Sequence, residues 1–225
     1  MNYKHHLKYF QSGDTVWIIG ATLAIVGAFS FFFVWSYIAY MLSYLMIPIG
    51  LFLFFWSTSR RSNDKDIEEA VEEVCAEVKI HWEDDKKLSA RRRKNIAPIV
   101  LRGYEYEEGL LLKKMKSGSL CSSRYTAAEI AILEDAVYLT SKTFSLISEE
   151  CEDRTLEIPF SEIQSVDLWE EEKRLPYQKT TVRITERHWV LCYGENQRLS
   201  FPVNNDLSVE HFTEQLQILL AKSAT

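Results

Sequence analysis

From Val16 to Trp56 the chain carries no Asp, Glu, Lys, Arg or His, although charged residues make up 26% of the whole sequence. A bilayer core of ~30 Å takes about 20 apolar residues per helical crossing, so the run is too long for one untilted span and suits two. The expectation is an α-helical transmembrane hairpin, with spans over about 16–34 and 38–56. Its turn is expected near Trp35-Ser36-Tyr37, where polar and interfacial aromatic residues interrupt the aliphatic and Phe-rich stretches. Lys4 and Lys8 precede the run, Arg60 and Arg61 follow it, and the turn is uncharged. The positive-inside rule then places both termini in the cytoplasm of a cell whose inner membrane holds the chain. The run is longer than a cleavable signal core, so it is expected to stay as an anchor behind a short N-terminal segment, residues 1–15.

Gly20, Ala24 and Gly27 fall at spacings of four and three and put a strip of small residues on one face of the first helix. Small faces let helices approach closely. The strip is expected to pack against the second helix of the same hairpin, with contact between copies in a homo-oligomer as the alternative. Ser36, Tyr40, Ser43 and Tyr44 give the second helix a partly polar face, and Pro48 with Gly50 is expected to kink it.

About 165 residues follow, enough for one domain of ordinary size and a connecting helix. Cys75, Cys121, Cys151 and Cys192 form no CxxC pair and have no metal-type spacing with the histidines, so they read as reduced thiols without a metal. The net charge of -6 argues against nucleic acid as a partner, because phosphate binding needs a basic footprint. Residues 64–94 contain neither Gly nor Pro and space Ile67, Val71, Val74 and Val78 by four, three and four, which predicts one charged helical stalk within 57–97. Arg91, Arg92, Arg93 and Lys94 crowd its end, as the helix dipole favours.

After Pro98 the pattern turns to alternation broken by turn residues, the signature of a small antiparallel barrel over 98–225. Seven strands are expected: Glu108 to Lys114, Arg124 to Leu133, Ala136 to Ile147, Ile163 to Glu171, Thr180 to Glu186, Trp189 to Tyr193 and Arg198 to Val203. Val209, Phe212, Leu216 and Leu219 make the apolar stripe of a final helix, capped by Asn205 or Asp206, that suits an open barrel end.

Seven strands followed by one helix is the layout of the pleckstrin-homology superfold, and several segments resemble its bacterial PH-like and GRAM-like members. They are Glu108-Gly109-Leu110-Leu111-Leu112-Lys113-Lys114, Ser123-Arg124-Tyr125, Leu133-Glu134-Asp135-Ala136-Val137-Tyr138-Leu139, and Ile158-Pro159-Phe160-Ser161-Glu162-Ile163-Gln164-Ser165-Val166. The resemblance covers about residues 104–221 and implies an all-β PH-like barrel capped by a helix. It also implies that a lipid head group or other ligand would meet basic residues of the first strands, here Lys113, Lys114, Lys116 and Arg124. Ser122 stands where lipid-binding members have a middle basic residue, and Glu149, Glu150, Glu152 and Glu170 to Glu172 would repel an anionic surface. A protein partner or small regulatory ligand is therefore the better expectation.

No P-loop, G-x-S-x-G or HExxH motif is present, and His188 and His211 read as structural, so neither an enzyme nor a cofactor is expected. The composite expectation is a non-enzymatic integral membrane protein that contacts lipid through two spans and presents a PH-like sensor or scaffold domain at the inner face. The alternative is a membrane-disrupting effector, similar in outline to those of bacterial antiphage defence, that oligomerises through the hairpin.

Overall fold

In the computed structural model all residues are described except 12–14, 34–36, 60–62, 81–85, 179, 204–206 and 224–225. The chain divides into two compact units, residues 2–63 and residues 64–225. The first holds three helices: α1 (Tyr3–Gln11), α2 (Thr15–Phe33) and α3 (Tyr37–Ser59). α2 and α3 run antiparallel, and glycine sets their approach. A Cβ on Gly50 would stand 2.5 Å from the backbone nitrogen of Ala24, and one on Gly20 would stand 2.7 Å from that of Phe54. A Cβ on Gly27 would meet Ile47 and Met46 at 3.0–3.1 Å. The strip Gly20, Ala24, Gly27 thus faces the second helix of its own hairpin.

No helix among the described residues is long and apolar enough to cross a membrane. This corrects the two-span transmembrane hairpin, the integral membrane function and the membrane-disrupting alternative built on it, and the inner-membrane placement. Absence of charge over a run does not by itself make a crossing, which needs one helix that combines length with high mean hydropathy, and none of the described residues supplies it. The expected turn at Trp35 and Ser36, the flanking Arg60 and Arg61, and the caps Asn205 and Asp206 lie outside the described residues.

The second unit opens with α4 (Asp64–Glu77) and α5 (Lys86–Arg91), where the sequence predicts one helix. Val78 and Ile80 are both buried, a period of two that only extended backbone provides. The Ile80 amide donates to Oε2 of Glu129 at 2.6 Å, which holds this extended segment on the sheet. Arg102 reaches Glu72 and Lys142 reaches Glu77, each at 2.8 Å, so α4 lies against the sheet rather than standing off as a stalk.

Among the described residues nine strands follow: β1 (Ile99–Tyr104), β2 (Leu112–Lys114), β3 (Leu120–Ser122), β4 (Arg124–Ile132), β5 (Ala136–Ser145), β6 (Cys151–Pro159), β7 (Ile163–Tyr177), β8 (Thr180–Tyr193) and β9 (Gln197–Pro202). They form antiparallel sheets in the orders β1-β4-β5-β6, β2-β3 and β7-β8-β9, and α6 (Leu207–Ser223) ends the chain. β1, β3 and β6 are absent from the expected strand set, and the two strands expected over 180–193 are the single β8. Between the two larger sheets lies one core, with Ile130, Leu139, Trp189, Leu191 and, from α6, Val209, Phe212 and Leu216. Because Phe212 is 4% exposed within that core, Phe212→Ala is expected to cost ~3–5 kcal/mol in chemical denaturation. A loss below about 1 kcal/mol would show that α6 does not close the core. In the hairpin, Gly50→Leu is expected to separate α2 from α3, read as new proteolytic cleavage within residues 41–56 of the intact chain.

Candidate functional site at the open end of the two-sheet core

Along β4, β5 and β6 the side chains that face the second sheet change character in register. Ile132, Val137 and Ile158 lie side by side, then Ile130, Leu139 and Leu156, then Ala128, Ser141 and Arg154, then Thr126, Thr143 and Glu152. Residues two apart share a face of a strand, so this one face runs from aliphatic to polar. α6 covers the aliphatic end. The polar end forms a cleft of about 310 Å³, which Glu105 and Arg124 also line and to which β9 contributes Arg198 and Ser200.

Thr126 is 2% exposed and its hydroxyl donates to Oε1 of Glu105 at 2.5 Å. Having spent its proton there, it accepts from the hydroxyl of Thr143 at 2.7 Å. Oε2 of Glu105 receives Nε of Arg124 at 3.0 Å. The guanidinium is therefore aimed by a chain of three side chains, and only its Nε edge is used in that pair. Arg124 also lines a second cleft of about 540 Å³, with Leu110, Phe144 and Ile147, and the two clefts share Arg124, Thr143 and Glu152. The other cations at the mouth are engaged elsewhere: Arg154 pairs with Glu152 at 2.8 Å, and Arg198 lies 4.8 Å over the ring of Trp169.

The basic residues singled out from sequence do not all gather here. Lys113 and Lys114 are successive residues of β2, so their side chains leave opposite faces of the β2–β3 ribbon. Lys116 lies beyond that strand, where its amide donates to Asp64 at 2.8 Å. Neither cleft is lined by any of the three lysines. Arg124 alone of the four stands at the mouth. Its supports Glu105, Thr126 and Thr143 carry no motif, and only the register of β4 on β5 reveals them.

The connection after β1 is held by a second polar cluster. Glu186 of β8 is 4% exposed, its Oε1 accepts the amide of Tyr106 at 3.1 Å, and its Oε2 lies 2.6 Å from Nζ of Lys173. Lys173 in turn donates to the carbonyl of Tyr106 at 3.2 Å. Burial pushes the Glu186 carboxyl up, but the hydrogen bonds from His188 and Lys173 and the charge of Lys173 outweigh it and hold it below the ordinary value. Ser200, His188 and Glu186 form a line of hydroxyl, imidazole and carboxylate, at 3.1 Å and 3.4 Å.

None of the four cysteines is in a disulfide, and burial pushes the Cys75 thiol up to about 11, which makes it a poor nucleophile. Among the described residues no group of His, Cys, Asp or Glu is placed to hold a metal ion. Neither a family model, nor a curated protein, nor a solved structure matches this chain.

A carboxyl whose folded pKa is depressed adds stability above its unfolded pKa and loses it as pH falls through the folded value. Denaturation midpoints are therefore expected to drop below pH 4.5, the ordinary value for Glu186, and to drop less in Glu186→Gln. Equal acid sensitivity in the two proteins would show that this carboxyl is not a source of the effect.

Proposed function

We propose that residues 98–225 form a non-enzymatic PH-like binding module whose ligand presents a carboxylate to Arg124 at the barrel mouth. Four strands, then three, then a helix closing one end of their shared core supports the PH-like reading, with the β2–β3 ribbon as an insertion between the first two core strands. The observation that carries the ligand reading is the guanidinium of Arg124, paired through Nε with Glu105, on a residue that lines two adjoining clefts. A guanidinium fork suits a planar carboxylate. Glu105, Glu107 and Glu152 surround it and disfavour a multiply charged phosphate, which separates this site from an anionic lipid surface.

The carboxylate can belong to a peptide or to a small acid, and calorimetry on the whole chain distinguishes them. Acetate is expected to bind in the millimolar range, about −4 kcal/mol at 1 mM, and a glutamate-containing peptide more tightly, with both lost in Arg124→Ala. Binding of anionic vesicles that survives Arg124→Ala and fails in the Lys113, Lys114, Lys116 triple alanine variant would overturn the proposal in favour of head-group recognition.

A second observation favours self-association. Ile25, Phe29, Tyr44, Leu45 and Phe55 are each 62–69% exposed on the hairpin, and among the described residues no other surface gathers large uncharged side chains so densely. Contiguous apolar surface of this kind marks an interaction site, and the matching surface available on the chain is the hairpin of another copy. Light scattering without detergent is expected to show oligomers of the wild-type chain and monomers of Ile25→Glu with Leu45→Glu. A wild-type chain that is monomeric, or that is recovered only with lipid vesicles, would overturn this reading.

A further inference from the structure

We infer that Glu186 and Lys173 are positioning residues for the barrel mouth, holding Glu105 on Arg124 through the backbone of Tyr106. The inference rests on the reading of the mouth as a carboxylate site, and its first readout does not.

β1 ends at Tyr104, and the chain then leaves the sheet. A buried backbone amide or carbonyl needs a partner, and at Tyr106 both groups find theirs in side chains of the β7–β8 pair. The amide donates to Glu186 and the carbonyl accepts from Lys173, while those two side chains close the ring with their own contact at 2.6 Å. The phenol of Tyr106 donates to the carbonyl of Leu120 at 2.5 Å, and the amide of Lys114 donates to the phenol of Tyr177 at 3.2 Å. The insertion between β1 and β4 is thus pinned to the β7–β8 pair at both its root and its ribbon. Glu105 is the residue before the pin. Its own amide donates to the carbonyl of Arg124 at 3.1 Å, and its carboxylate takes Thr126 and Arg124 from that fixed position.

Glu186 contributes no atom to the lining of either cleft, yet the direction of the Arg124 fork depends on it. The neutral amide of Glu186→Gln keeps an acceptor for Tyr106 and loses the charge partner of Lys173. Lys173→Met removes the donor to the Tyr106 carbonyl and leaves Glu186 in place.

Amide and guanidinium hydrogen exchange on the full chain tests the inference. In Lys173→Met, and in Glu186→Gln, exchange at residues 105–107 and at Nε–H of Arg124 is expected to rise about ten-fold, with β5 and α6 unchanged. Lys173→Arg, which retains a cationic donor, is expected to restore protection, a rescue that mere loss of packing would not show. Unchanged exchange at 105–107 and at the Arg124 Nε–H would overturn the inference, as would a rise spread evenly over the whole unit. Acetate affinity is the second readout. A loss in the same variants supports the coupling to ligand, whereas wild-type protein that binds no acetate while its exchange follows the pattern overturns the ligand reading and leaves the positioning role intact.

Discussion

Among the described residues a helix closes only one end of the space between the two large sheets, and that constraint shapes the inner faces of β4, β5 and β6. At the α6 end the inner faces are aliphatic, and Phe212 and Leu216 complete the core. At the other end the same strands meet water, so Thr126, Ser141 and Thr143 replace Ile and Leu on the same face. Buried hydroxyls need partners, and the threonines find theirs in each other and in Glu105, which in turn matches Arg124. The candidate site follows from finishing a two-sheet core that α6 closes at one end.

Much of that frame is legible in the sequence where a strand has one buried face. Val166 and Leu168 of β7, and Leu199 and Phe201 of β9 with Val203 after it, alternate and turn one face to the core, and the stripe Val209, Phe212, Leu216 marks α6. Strands without such a face are silent. β6 lies at a sheet edge and is largely exposed, so its acidic start, Cys151-Glu152-Asp153, reads as a turn. β8 reads as two strands because Arg187 and His188 interrupt its apolar pattern, although Glu186, Arg187 and His188 all find partners within the fold. The break after α4 has no Gly or Pro to announce it. Its cause is the pairing of Ile80 with Glu129, 49 residues away, which no local pattern contains.

The site divides in the same way. Arg124 was visible through its place in a family-like segment, whereas Glu105, Thr126, Thr143, Glu186 and Lys173 are joined by hydrogen bonds spanning 17 to 80 residues of sequence. The apolar run shows the reverse failure. Its lack of charge was plain, and the inference from it went too far, since the described parts of α2 and α3 give no helix long and apolar enough to cross a membrane. What the run does establish is close packing at Gly20 and Gly50 on one side of the hairpin and bare apolar side chains on the other.

The central claim is that the Arg124 fork receives a carboxylate at the mouth. Side-chain NMR of the arginines, resolved at Nε and Nη during an acetate titration of the full chain, tests it most directly. The expected result is that the Nη signals of Arg124 shift and slow their rotation with saturation, while those of Arg154 and Arg198, held by Glu152 and Trp169, stay in place. Signals of all three arginines that move together without saturation, or an Arg124 that does not respond, would contradict it.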